Sequence, residues 1–363
     1  MILHFYFARR FLVTFLSIFF VFVVLLGLID LVDELQDFPD LAFGDVLEIV
    51  LLNLPQANYE ILPLIIILTS VALFLRVARS SELVVVRAAG RSAMVSLLAP
   101  LTVAAMIGIL SVTMLNPIVA ASSKRYHDLI NTYIGFGSNV LAITAEGLWL
   151  RQGTSDGQTV IHAARASSDV GVLYDATFVS FSTDGQPQSR IAARQAKLGD
   201  GEWILTQAKQ WYLERGSNPE FEAVVMPKMT IPSSLTQAGI IDSFGKPEYI
   251  PIWDLPRFIR QLEHAGFSAR RYSMWFQMEL ARPLFLTALV LVAAAFTMQH
   301  SRTGNTGVSV LTAVLLGFSL HYVRNFAQIL GENGQIPILL AAWAPPVASF
   351  LLALGIVLHM EDG

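Results

Sequence analysis

Cysteine is absent from the 363 residues, which excludes disulfides and thiolate metal or redox sites. Any domain outside the cytoplasm must then hold together on its core alone. Charge is scarce too. Asp, Glu, Lys and Arg make up 14% of the chain and hydrophobic residues 54%, with a mean hydropathy of +0.56. Soluble domains carry about 25% charged residues, so the composition is that of a membrane protein. No G-x-x-x-x-G-K-[ST] loop occurs, which excludes ATP hydrolysis by that route. H-E-x-x-H is missing and the seven histidines show no metal-ligand spacing. No catalytic residue, metal site or cofactor is assigned to this chain, and nothing in it points to nucleic acid.

What is present is a set of long apolar runs. The first, Phe11 to Ile29, follows Arg9 and Arg10 as a signal peptide would. It is too long for one and lacks a small-x-small cleavage pattern, so it reads as a retained span. Asp30, Asp33, Glu34, Asp37, Asp40, Asp45 and Glu48 follow with no Lys or Arg among them, which puts the N-terminus in the cytoplasm. A second helix is expected from near Val46 to Leu75. Asn53, Pro55, Gln56, Asn58, Glu60 and Pro63 make it a kinked, cavity-lining helix rather than a lipid-facing one. Met94 to Leu115 is the third span, emerging at Asn116-Pro117. Trp275 to Met298, Val308 to Ile329 and Ile336 to Leu358 are three more, each near the ~20 residues that cross a bilayer. His300 and Arg302 fall on the cytoplasmic side, so both termini are inside.

Between the third and fourth spans the pattern changes. Gly147 to Arg151, Thr159 to His162, Ala176 to Phe181, Trp203 to Thr206 and Gln210 to Glu214 alternate β-branched or aromatic residues with polar ones. Asp156-Gly157, Asp184-Gly185 and Asp200-Gly201 punctuate them as hairpin turns. This predicts an all-β domain, a sandwich or jelly roll, on the non-cytoplasmic side. Met226 to Pro232 and Gly245 to Pro251 read as linkers, and Asp254 to Gly266 as a short amphipathic helix. The domain division is 1–120 for spans one to three, 121–270 for the β domain with its linkers, and 271–363 for the last three spans.

Ionisable groups at membrane depth are the next signal. Arg324 sits towards the outer end of its span, either snorkelling to the interface or lining a cavity where it meets anionic head groups. Lys124, Arg125 and His127 lie just past the third span, as a lipid-phosphate contact or a solvated face. Glu279 and Arg282 are spaced to pair with each other at i,i+3.

One stretch between the second and third spans is too short and too charged to cross a membrane. Ser80 or Ser81 can cap a helix, Glu82 sits in its first turn and Gly90 can end it. Arg76, Arg79, Arg87 and Arg91 flank or occupy it. Ser81-Glu82-Leu83-Val84-Val85 followed by Ala88-Ala89-Gly90 resembles the coupling helix of the LptF/LptG family of lipopolysaccharide-export permeases. The resemblance extends over the whole chain: the Pro55…Pro63 pattern, Glu146-Gly147-Leu148-Trp149 entering the β domain, and the Gly334…Ile336-Pro337 turn.

The resemblance implies an α-helical inner-membrane protein with six transmembrane helices and an inserted periplasmic jelly-roll-like β domain. It implies a heterodimer with LptF, an LptB ATPase dimer on the cytoplasmic side that binds ATP and Mg, and LptC and LptA receiving lipopolysaccharide outside. The helix at 80–90 would couple to the ATPase through Ser81, Glu82, Leu83, Val86, Arg87 and Gly90. The family carries lysines after the first span, thought to meet lipid A phosphates; here Asp30, Asp33, Gln36 and Asp37 stand there. Phosphate recognition then falls to Lys124, Arg125 or Arg324, to the partner chain, or to a divalent cation bridging Asp30, Asp33 and Asp37; the alternative is a substrate with fewer phosphates. Two other readings compete: a non-transporting scaffold anchoring an external β domain, and an intramembrane enzyme.

Overall fold

A computed structural model describes residues 2–80, 93–134, 141–144, 147–154, 157–167, 171–213, 218–233, 235–236, 240, 246–264, 267–298 and 306–362. The chain divides into two compact units. The first comprises Met1–His127, Glu248–Trp253 and Ser273–Gly363; the second comprises Asp128–Pro247 and Asp254–Tyr272.

The helices of the first unit follow from apolar runs and are shaped by their prolines. α1, Ile2–Asp37, continues beyond the expected end at Ile29, so the acids from Asp30 to Asp37 lie on helix rather than in a loop. The expected single second helix is two, α2 (Phe43–Glu60) and α3 (Leu62–Arg79), divided at Ile61 (φ −87°, ψ 1°). Pro63 falls in the first turn of α3, where its missing N–H has no helical partner to lose. The helix of the third span does not end at Asn116-Pro117. α4 (Ala93–Leu110) passes through a π-helical turn, Ser111–Leu115, into α5 (Asn116–Ile134). The wider turn lets the helix carry Pro117 without ending there.

In the second unit, β1 (Leu141–Thr144), β2 (Gly147–Thr154), β3 (Gly157–Ala166), β4 (Val172–Ser182), β5 (Pro187–Leu198), β6 (Glu202–Tyr212) and β7 (Val224–Pro232) form one antiparallel sheet in sequence order. That order is an up-and-down meander, and a jelly roll's crossover connection does not occur among the described strands. Short turns are the reason from β1 to β6, each pairing a strand with its nearest neighbour, and an eleven-residue connection (213–223) brings β7 against β6. Gly185 (φ 77°) and Gly201 (φ 74°) supply the left-handed backbone at two of the expected Asp-Gly turns. Met226 to Pro232, expected to be a linker, is part of β7, and the two runs expected at 203–206 and 210–214 belong to one strand, β6, as far as Tyr212. β5 carried too many polar residues to be read as a strand.

The buried face of the sheet changes phase along one transverse line. Buried residues run Ile161, Ala163 then Ala166 in β3; Leu173 then Ala176 and Phe178 in β4; Ala193 then Ala196 in β5; and Trp203, Leu205 then Ala208 in β6. At that line Asp175 (φ 52°) and Gln207 (φ 53°) adopt left-handed backbone, and Asp175 is skipped between the paired rows Tyr174–Gln195 and Ala176–Ala193. Because the strands bend at the same row, register is kept while the apolar face stays inward. α6 (Leu255–His264) turns Leu255 and Leu262 into the unit's core, and Phe258 meets Tyr272 edge to face at 5.0 Å.

α7 (Arg270–Thr297), α8 (Thr306–Glu332) and α9 (Ile338–Asp362) complete the chain. Six helices among the described residues are long and apolar enough to cross a membrane. α7 is their centre: 78% of its apolar window is buried, against 6% for α1. Phe285, Leu286 and Leu289 of α7 pack with Phe7, Phe11 and Phe15 of α1 and with Ile65 and Ile66 of α3. α1, α8 and α9 leave long apolar faces uncovered, among them Phe20, Leu28, Tyr322, Phe326 and Leu352.

Candidate functional site

Deep in the first unit, α2 and α7 bring three ionisable side chains together. Glu279 and Arg282 are one turn apart on α7, and the guanidinium grips the carboxylate through both Nη2 (2.5 Å) and Nε (3.0 Å). This is the i,i+3 pair expected from the sequence. Tyr59 of α2 completes it, a residue sequence reasoning passed over. Its hydroxyl donates to Glu279, its carbonyl accepts from Arg282 Nη1 at 3.2 Å, and its ring lies 3.9 Å beneath the Arg282 guanidinium. Glu279 is fully buried, and Arg282 and Tyr59 are each 5% exposed. A charge in so apolar a place persists only when paired and hydrogen-bonded, and here every partner is supplied internally. The available signal was position: Tyr59 sits beside the polar set Gln56, Asn58 and Glu60.

Arg324 does not reach outward to solvent, as a snorkelling side chain would. It is buried against α7, donating to the Met278 carbonyl at 3.2 Å and lying 5.1 Å from the Phe285 ring centre. The long guanidinium stem reaches a carbonyl more readily than it reaches water from this face of α8.

The acids of α1 split into two kinds. Asp30 accepts from Asn53 Nδ2 at 3.0 Å, and Glu34, not singled out from the sequence, is buried and accepts from the Tyr126 hydroxyl at 2.9 Å. These bonds tie the end of α1 to α2 and α5. Asp33 and Asp37 are exposed. Among the described residues, no group of three His, Asp or Glu is placed to hold a metal ion. Lys124 and Arg125 are exposed on α5, and Arg125 makes a loose 3.9 Å pair with Glu48.

Two cavities flank α2 and α3, the first of them beside the cluster. One of about 260 Å³ is apolar, formed by α1, α2 and the turn between α4 and α5, with Phe19, Leu54 and Ile118 in its wall beside Tyr59. The other, about 160 Å³, opens between the α2–α3 break and α8 and is lined by Glu60, Pro63, Phe318 and His321. Both suit hydrocarbon better than a polar substrate, in keeping with a cavity-lining second helix.

The expected coupling residues Ser81, Glu82, Leu83, Val86, Arg87 and Gly90 lie outside the described residues. The chain reaches them from α3, whose end is closed by Ser80: its N–H and Oγ both bond the Arg76 carbonyl, at 3.0 and 2.9 Å. Gly153-Thr154-Ser155-Asp156-Gly157 has the spacing of a hydrolase nucleophile elbow, but it joins β2 to β3 and not a strand to a helix, so it carries no such chemistry.

Residues 5–359 match the family described as lipopolysaccharide export system permease LptF/LptG. Among curated proteins, the chain is 24% identical to lipopolysaccharide export system permease protein LptG of Escherichia coli K12, over 98% of this chain and 97% of that one. It is 22% identical to the protein of the same name from Haemophilus influenzae Rd, over 95% of this chain and 96% of that one.

Proposed function

The chain belongs to the lipopolysaccharide export permease family LptF/LptG, and from that premise we propose that it forms half of an ATP-driven lipid extractor. It is a multi-pass permease subunit for lipopolysaccharide export, a transporter component rather than an enzyme. The observation that carries this is the match running through all six apolar helices and the inserted sheet together.

In this reading LptF pairs with the chain to enclose a cavity, and an LptB dimer supplies ATP and Mg chemistry from the cytoplasm. Both termini face the cytoplasm, and the β domain stands in the periplasm, where LptC and LptA take the lipid onward. The uncovered apolar faces of α1 and α8 support a partner chain or lipid against them. Each acyl CH₂ favours an apolar surround by about 0.8 kcal/mol, so pulling several chains from a bilayer needs an outside energy source. Closure of the ATPase would press on Glu82, Arg87 and their neighbours and compress the cavity. Lys124 and Arg125, both exposed, are the basic residues of this chain best placed to meet lipid phosphate.

Glu82→Ala tests the coupling. The expected result is loss of ATPase co-purification and of lipopolysaccharide-stimulated ATP hydrolysis, together with crosslinking from Leu83 or Val86 to the ATPase in the wild type. A Glu82→Ala chain that keeps both activities supports the scaffold reading, and turnover by the chain without any ATPase supports an intramembrane enzyme.

A further inference from the structure

The last stretch of the second unit differs in charge from the rest of it. Asp128–Pro247 holds nine Lys or Arg against twelve Asp or Glu, whereas Asp254–Tyr272 holds four Arg against two acids, Asp254 and Glu263. Arg257 and Arg260 stand on α6, and Arg270 and Arg271 open α7. α6 has two distinct faces. Leu255 and Leu262 are buried in the unit's core, with Phe258 and Ile259 half-buried beside them. At about 100° per residue, Arg257, Arg260 and His264 fall on the opposite side, and all three are exposed. Glu263, also exposed, flanks that stripe. Arg257, Arg260 and Arg271 enter no ion pair among the described residues.

Helix length sets the depth of these charges. α7 is one continuous helix of 28 residues, about 42 Å long at 1.5 Å per residue. That matches a bilayer with its headgroups, roughly 40–45 Å, rather than the ~30 Å hydrocarbon core alone. The first turn of α7, with Arg270 and Arg271, therefore lies at headgroup level. Phe258 of α6 meets Tyr272 of that same turn edge to face at 5.0 Å, which keeps α6 beside it. All of these residues belong to the second unit, and α7 itself carries them to the membrane. Orienting the chain does not account for the arginines: on the topology expected from the sequence this end of α7 is non-cytoplasmic, the side on which Lys and Arg are disfavoured. The stripe on α6 is also convex, with no walls to enclose a single ligand, and so suits a plane of charge.

We propose that α6 and the first turn of α7 form a docking surface for anionic phospholipid headgroups, with Arg257, Arg260 and Arg271 meeting the phosphodiester groups of the leaflet around α7. The planar fork of arginine suits paired phosphate oxygens, and each arginine near an anionic membrane surface favours it about fivefold. The ligand is the bilayer's own phospholipid, distinct from the exported lipid considered for Lys124 and Arg125. The permease thus holds to its surrounding lipid through a surface that takes no part in extraction, which goes beyond the export reading.

The test uses the full chain in its purified complex, in nanodiscs of phosphatidylcholine alone or with about one third phosphatidylglycerol. Hydrogen exchange is read at a peptide covering 255–264, with 187–198 of β5 as the reference. In the wild type, phosphatidylglycerol should slow exchange at 255–264 at least threefold and leave the reference unchanged. Salt at about 0.5 M should remove the slowing, because exposed charges are screened. Arg257→Gln/Arg260→Gln should lose it without salt while exchanging as wild type does in phosphatidylcholine, since both side chains lie opposite the core. Arg271→Gln serves where the double variant does not assemble, and should at least halve the slowing. Slowing that survives salt, the double variant or, in its place, Arg271→Gln overturns the proposal. Wild type indifferent to phosphatidylglycerol overturns it too; faster exchange in the double variant would then assign the stripe to an acidic protein surface. Two arms in phosphatidylcholine discs separate other sources of phosphate. Inorganic phosphate that protects as well as phosphatidylglycerol makes this a free-anion site, and lipopolysaccharide that protects where phosphatidylglycerol does not gives it to the exported lipid; either result overturns the proposal.

Discussion

Glu279 and Arg282 face each other across a single turn of α7, at 2.5 Å, in the most thoroughly buried of the six described crossing helices. Two charges there are stable only as a unit. Removing one strands the other, which typically costs about 3–5 kcal/mol, whereas replacing both by apolar residues of like size is often neutral. Glu279→Gln and Arg282→Met should therefore each lower the melting temperature of the purified complex sharply. Glu279→Leu combined with Arg282→Met should recover most of the loss. A double variant as unstable as the worse single one would mean that Tyr59 depends on the pair more than the pair depends on itself.

Arg125 and Arg324 should separate cleanly on substitution. Arg125 pairs loosely and in the open with Glu48, so Arg125→Ala should change stability by less than about 1 kcal/mol. If Lys124 and Arg125 meet lipid phosphate, Lys124→Ala/Arg125→Ala will still raise the lipopolysaccharide concentration needed to stimulate the ATPase. Arg324→Ala should act on stability instead, since its guanidinium donates to the Met278 carbonyl and packs over Phe285. Unchanged stimulation in the double alanine variant would remove this chain's exposed basic pair from lipid recognition.

These contrasts mark where the sequence was readable. Apolar run length located all six crossing helices, because burying a long apolar segment leaves little choice of structure. The Glu279–Arg282 pair was legible because both partners lie on one helix. Tyr59 was not, because its meaning comes from residues far along the chain. Pro117 misled for a local reason: its usual helix-ending effect is absorbed by a π turn that no short pattern announces. β7 was missed because Pro227 and Pro232 look like linker residues, yet each is tolerable on the outermost of the described strands. The lysine-less acidic run on α1 was plain in composition, but that Asp30 and Glu34 bind Asn53 and Tyr126 was not.

Acid should loosen one loop of the second unit. Glu220 accepts from Lys209 and from Trp211 Nε1 (2.8 Å), and the Lys209 contact first, then the indole, hold its carboxyl below the usual carboxylate range. A depressed folded value means the stabilisation is complete above the unfolded pKa, about 4.3 for Glu. It is lost as pH falls through the lower folded value. Trp211 emission should therefore hold steady from pH 7 to about 5 and change only under stronger acid. Glu220→Gln should abolish that change; an identical acid transition in this variant would assign it to another group.

Two buried glycines look equivalent in sequence and should behave oppositely. A Cβ on Gly108 of α4 would sit 2.5 Å from the Pro283 Cα and 3.3 Å from its nitrogen, both of them backbone atoms of α7 that cannot turn aside. A Cβ on Gly317 of α8 would instead meet the terminal methyl of Ile67 at 1.8 Å, the far end of a side chain that can turn about its outer torsion. Alanine in a helix gains about 1 kcal/mol over glycine, and overpacking a rigid contact costs roughly 1–3 kcal/mol. At Gly108 the clash exceeds the gain, so Gly108→Ala should lower the melting temperature and push α4 from α7. At Gly317 the side chain yields, so Gly317→Ala should be neutral or mildly stabilising. Melting both variants in one detergent checks the contrast, and equal shifts would show that α4 gives way as easily as a methyl group does.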